Sequence, residues 1–184
     1  AVSAARHAVE LDPQYGRARA TLGWAYLKLG RTEEGLAELE QGAALTQHDP
    51  MFLGQLGEAY GLTGNVEKAR AVLHQLTEAA RQEYVTPYYR AYVHTGLGEY
   101  DSAIDCLEQS LAEGTGGLYG LKASFLFAPL RGHPRFTALL KKLNLEEEDG
   151  YRIADETGMS RDAIRMAIKR AVAELARRMG DAAS

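Results

Sequence analysis

Gly30, Gly64 and Gly98 stand 34 residues apart. Small or apolar residues travel with them at fixed offsets. Ala1, Gly35, Ala69 and Ala103 form one column, and Ala5, Leu39, Leu73 and Leu107 a second. Tyr26 and Tyr60 form a third, which His94 continues. A period of this length marks stacked helix–turn–helix units, each relying on its neighbours to cover its apolar face. The chain is therefore expected to be all-α. Such stacks build interaction surfaces more often than catalytic centres.

Three intact units run roughly 16–49, 50–83 and 84–117. Each opens with a helix whose apolar residues recur at helical spacing, as Leu22, Ala25, Tyr26 and Leu29 do in the first. Each such helix is expected to end near the periodic glycine, which accepts the positive φ of a helix C-cap. Short polar turns follow: Arg31-Thr32, Asn65-Val66 and Glu99-Tyr100. The second helix then carries the small residue of the first column, which permits close approach, and the leucine of the second, which fills the space between helices. Pro87 is tolerated near a helix start, with Thr86 as its N-cap.

These residues resemble the tetratricopeptide repeat. The first unit matches at Leu22-Gly23, Tyr26, Gly30, Gly35 and Leu39; the second at Leu56-Gly57, Tyr60, Gly64, Ala69 and Leu73; the third at Ala91, Gly98, Tyr100, Ala103 and Leu107. Residues 1–13 look like the second helix of an earlier unit, with Ala1, Ala5, Ala8 and Pro13 on pattern. The resemblance covers about residues 1–113 and implies an α-solenoid, a right-handed superhelix of helical hairpins. Arg90 and His94 depart from the pattern, so the third unit is either looser or shifted at its helix start.

The resemblance also implies a concave groove that holds a protein or peptide partner. Its positions are Arg17, Trp24 and Lys28, then Met51, Glu58 and Leu62, then Tyr88 and Tyr92. The aromatic residues among them either grip a partner or pack against neighbouring helices. Ala20 and Trp24 stand where a carboxylate clamp would need lysine and asparagine, so binding of chaperone tails is not expected.

Residues 114–145 read as a connector and a capping helix. The glycine-rich stretch 114–120 lacks the Gly-Lys-Ser/Thr ending of a phosphate loop and reads as a helix terminator. Pro134 opens a helix with Phe136, Leu139, Leu140 and Leu143 on one face. Pro129-Leu130-Arg131 and Pro134-Arg135-Phe136 resemble the element that closes such arrays in many bacterial regulatory proteins, where it covers the last repeat.

Residues 146–184 form a third segment. It opens on an acidic run, Glu146 to Asp149, and residues 150–184 carry seven Arg/Lys against five Asp/Glu. Ala154, Gly158 and Ile164 have the spacing of a helix-turn-helix, and Ser160 can cap its second helix. The string around them resembles the promoter-reading domain of extracytoplasmic-function sigma factors. That implies contact with double-stranded DNA through Arg161, Arg165, Lys169 and Arg170. An ordinary amphipathic helical pair with a solvated polar face fits the same residues.

The five histidines, His7, His48, His74, His94 and His133, have no metal-ligand spacing. Cys106, the single cysteine, reads as a small core residue in a reducing cytoplasm. No nucleophile elbow or dinucleotide fingerprint is present. No apolar run approaches the ~18–20 residues of a bilayer span. A non-enzymatic protein is therefore expected, with no metal, cofactor, membrane or small-molecule substrate. Ala1 falls inside a helix in the repeat register, which points to a piece of a longer chain. Three functions follow: an interaction module of a regulatory protein, a DNA-binding transcription regulator with a repeat sensor, or the regulatory tail of a larger kinase or cyclase.

Overall fold

A computed structural model describes residues 2–114, 118, 120–122 and 124–143. The helix-turn-helix expected within 146–184 lies outside the described residues, as do the DNA-contacting positions Arg161, Arg165, Lys169 and Arg170. The chain divides into Ala1–Leu139 and Leu140–Ser184. Of the second unit, residues 140–143 are described.

The described residues form an all-α solenoid. Its helices are α1 (Val2–Leu11), α2 (Gly16–Lys28), α3 (Thr32–Leu45), α4 (Pro50–Leu62), α5 (Val66–Gln82), α6 (Pro87–Gly96), α7 (Tyr100–Ala112) and α8 (Pro134–Lys142), with a 3-10 turn at Phe125–Leu130. No strand occurs among them. No described helix is long and apolar enough to cross a membrane. From α1 to α7 consecutive helices pack on one another, and the first helix of the second repeat also packs closely on the first helix of the third, α4 on α6.

One turn is built three times. Gly30, Gly64 and Gly98 have φ of 75°, 80° and 75°. The amide following each glycine donates back across the helix end: Arg31 N to the Tyr26 carbonyl at 3.0 Å, Asn65 N to Tyr60 at 2.8 Å, Glu99 N to His94 at 2.9 Å. The glycine amides donate to Leu27, Gly61 and Thr95. This pair of bonds satisfies carbonyls that a helix end leaves orphaned. The carbonyls of Arg31, Asn65 and Glu99 then accept from Gly35, Ala69 and Ala103, starting the next helix. The tyrosine column is thus the position whose carbonyl closes the turn, and a histidine serves because a backbone group does the work.

The helix starts are less regular. Asp49 caps α4 through Met51 N at 2.9 Å, ahead of Pro50. Thr86 caps α6 through Tyr88 N at 3.3 Å, ahead of Pro87. Residue 84 would open α6 if the 34-residue period held; α5 instead runs on to Gln82 and α6 begins at Pro87. The departure at the third repeat is therefore a shifted helix start, set by where a cap and a proline occur together. Arg90, in the leucine position, reaches Gln109 of α7 at 3.5 Å.

Close approach depends on missing side chains. A Cβ on Gly96 would lie 2.3 Å from the carbonyl oxygen of Glu58, and one on Gly61 would lie 2.4 Å from the Gly96 carbonyl carbon. At this crossing α4 and α6 touch backbone to backbone. Beyond the repeats, Arg135 at the start of α8 bonds Asp105 at 2.6 Å and Glu108 at 2.9 Å on α7, and Phe136 and Leu139 are buried. Gly96→Ala is expected to force α4 and α6 apart at a cost of about 1–3 kcal/mol, read as a lower midpoint in urea unfolding; an unchanged midpoint would show that the crossing is looser than described.

Candidate functional site

The positions anticipated for a groove lie on the first helices of the three repeats. Arg17, Trp24 and Lys28 lie on α2, Met51, Glu58 and Leu62 on α4, and Tyr88 and Tyr92 on α6. The structure does not leave this face bare. The Phe125–Leu130 turn lies across it, and its two phenylalanines divide the face into an open part and a filled part.

The filled part belongs to Tyr88 and Tyr92, each 7% exposed. Their rings meet edge to face at 5.1 Å. Phe127 stacks on Tyr92 at 5.0 Å and meets Tyr88 edge-on at 5.3 Å. Burial, foremost, holds both hydroxyls above the ordinary tyrosine range. Both rings pack inside the molecule beneath a segment of the same chain. Rings in this arrangement add packing energy beyond the area they bury.

The open part lies between α2, α4 and Phe125. A cavity of about 500 Å³ is lined by Arg17, Thr21, Trp24, Lys28, Met51, Gln55 and Phe125, among others. Trp24 is 8% exposed; its Nε1 donates to Gln55 Oε1 at 3.1 Å, and Phe125 meets its ring edge-on at 5.4 Å. Lys28 places its ammonium 4.0 Å from the centre of the Phe125 ring, the geometry of a cation–π contact. Phe125 itself is 44% exposed. A second cavity of about 430 Å³ continues past Trp24 and Lys28 to Glu58, Leu62, Phe125 and Pro129.

Glu58 is the chemical anomaly of the face. It is 1% exposed, and neither carboxylate oxygen has a hydrogen-bond partner. Burial holds its carboxyl well above the ordinary range, so the neutral form is favoured. The cause is local: the crossing at Gly61 and Gly96 presses the α4 backbone against α6 at this residue.

The eight positions anticipated for the groove thus fall into three settings. Arg17, Trp24, Lys28 and Met51 line the first cavity. Glu58 and Leu62 line the second with Trp24 and Lys28. Tyr88 and Tyr92 sit beneath Phe127. Reasoning from sequence missed Phe125, Leu126 and Gln55. The apolar run Phe125-Leu126-Phe127 just ahead of Pro129 was the available signal.

A carboxyl whose proton is held more tightly in the folded state contributes stability below its ordinary pKa and loses it as pH rises toward the raised value. Glu58→Met is therefore expected to exceed the native chain in stability. The margin should widen from pH 4 to pH 8, by at most about 1.4 kcal/mol per pH unit, in urea unfolding followed by circular dichroism. A margin independent of pH would mean that the carboxyl finds water or a partner in solution.

Residues 1–54 match a family model described as tetratricopeptide repeat, and residues 50–75 match a second of the same description. No curated protein matches the chain. The similarity to tetratricopeptide repeats thus spans residues 1–75.

Proposed function

Taking an array of tetratricopeptide repeats as the premise, we propose that this chain is a non-enzymatic module of a regulatory protein that binds a peptide or protein segment in its groove. The observation carrying this reading is the cavity of about 500 Å³ between α2, α4 and Phe125. Concave sites with mostly apolar walls and a few placed polar groups are where ligands bind. Trp24 and Phe125 offer apolar wall, Gln55 offers amide chemistry, and Arg17 and Lys28 stand exposed at the edges. A partner segment would place an apolar side chain between α2 and α4 and acceptor groups against the two cations. A cytoplasmic location belongs to the same proposal; it is supported by a single free thiol, Cys106, buried in α7.

Trp24 is the only tryptophan in the chain and lines both cavities, so its emission reports occupancy. Because it is also part of the packing, its removal would test the fold as well as the groove. Met51 is half-buried at the cavity wall and makes the cleaner probe. Peptides selected against the full chain by phage display are expected to shift Trp24 emission. Met51→Arg, which fills the cavity, is expected to weaken them at least tenfold, a loss of about 1.4 kcal/mol of binding energy or more, while leaving the circular dichroism melt in place. Selected peptides indifferent to Met51→Arg would place binding elsewhere.

A second reading is supported by the residue pattern at Ala154, Gly158 and Ile164: a transcription regulator that binds double-stranded DNA through Arg161, Arg165, Lys169 and Arg170. Arg165→Ala with Lys169→Ala should then weaken binding to a duplex and flatten its salt dependence by about one contact per residue removed, in fluorescence anisotropy. No rise in anisotropy with any duplex at low salt would end it.

A further inference from the structure

Position 24 of the first repeat recurs at 58 and 92, one period apart. It carries a tryptophan, then a glutamate, then a tyrosine. A carboxylate therefore stands in a column that is otherwise aromatic, at the midpoint of the inner face. Its two oxygens are sealed from solvent and have no hydrogen-bond partner. Buried carboxyls are ordinarily hydrogen-bonded or paired, and one that is neither calls for a physical account.

The surroundings specify which donor. Glu58 lines the 430 Å³ cavity with Trp24, Lys28, Leu62, Phe125 and Pro129. Two of these walls are aromatic, and ring faces attract cations. The chain itself supplies an instance: the Lys28 ammonium rests 4.0 Å from the centre of the Phe125 ring. Lys28 forms no bond with Glu58, although both line the same space.

We propose that this cavity receives a lysine or arginine side chain of the partner segment, with Glu58 as its counter-ion and the Trp24 and Phe125 rings as its walls. The proposal rests on the groove reading above and names the partner's chemistry. Phe125, partly exposed on a 3-10 turn, is the side chain that must turn aside to admit the head group. Lys28 on α2 is the cation that faces the incoming one; on α6 the titratable neighbours are Tyr88 and Tyr92, both held neutral. No charged side chain comes from the turn. Entry of a cation ionises Glu58 and releases its proton, so affinity rises with pH above the ordinary carboxylate range.

The test uses the full chain and two pairs of probes, n-butylammonium with n-butanol and n-butylguanidinium with n-pentanol, followed by Trp24 emission between pH 5 and pH 8. The cations are expected to bind at least tenfold more tightly than the neutral probes at pH 8, to lose that advantage toward pH 5, and to lose it at every pH in Glu58→Gln and Glu58→Met. Lys28→Ala should strengthen cation binding by removing like charge. Equal affinity for cation and alcohol overturns the proposal while leaving an apolar groove intact. So does a cation preference that survives both Glu58 variants. Failure of every probe to bind overturns it too. Cation binding seen only in Lys28→Ala overturns it as well, since Lys28 is then itself the counter-ion of Glu58. Loss of the groove reading shows separately, as selected peptides indifferent to Met51→Arg.

Discussion

A backbone turn repeated at a fixed interval holds this molecule in register. At Gly30, Gly64 and Gly98 the chain takes a positive φ, two amides fold back onto the last carbonyls of one helix, and the next carbonyl starts another. The geometry is favourable for glycine and costly for a residue with a Cβ. Because the turn recurs every 34 residues, the ends of α2, α4 and α6 and the starts of α3, α5 and α7 are fixed relative to one another. What the side chains do between those points is free to vary, and it does: α5 is lengthened and α6 shortened without disturbing the turn that follows.

That rigidity permits the close crossings on which the inner face depends. Gly61 and Gly96 bring two backbones into contact, and the same contact buries Glu58. A carboxyl with no partner is expensive to bury. The array tolerates it because the helices around it are secured elsewhere, by caps, by the glycine turns and by the aromatic stack of Tyr88, Tyr92 and Phe127. Stability is thus spent at the position where the inner face carries its strongest chemistry. The Phe125–Leu130 turn adds a further division of labour: Phe127 completes the core over α6, while Phe125 walls the open cavity beside Trp24.

Most of the architecture was legible in the sequence, for a reason that particular residues illustrate. The column Gly35, Ala69, Ala103 and the column Leu39, Leu73, Leu107 announce which faces meet, since helical periodicity converts spacing into direction. The start of α6 was legible in Thr86-Pro87, though not the conflict between that cap and the 34-residue period. The inner-face positions were legible as positions only. Trp24 and Tyr92 occupy equivalent places, yet one lines a cavity and the other lies beneath a phenylalanine. That difference comes from residues about 35 positions beyond Tyr92 and 100 beyond Trp24, and no local pattern encodes it.

The sequence by itself determined the class, the spacing of the repeated turns and their chemistry, because each depends on contacts within a few residues or on a strict period. Only the tertiary structure decided which inner-face side chains line open cavities, which are covered by Phe127, and that Glu58 is sealed without a partner. Those outcomes depend on how closely backbones far apart in the chain approach one another. Distance of approach is set by every side chain at the crossing together, so it exists only once the helices have packed.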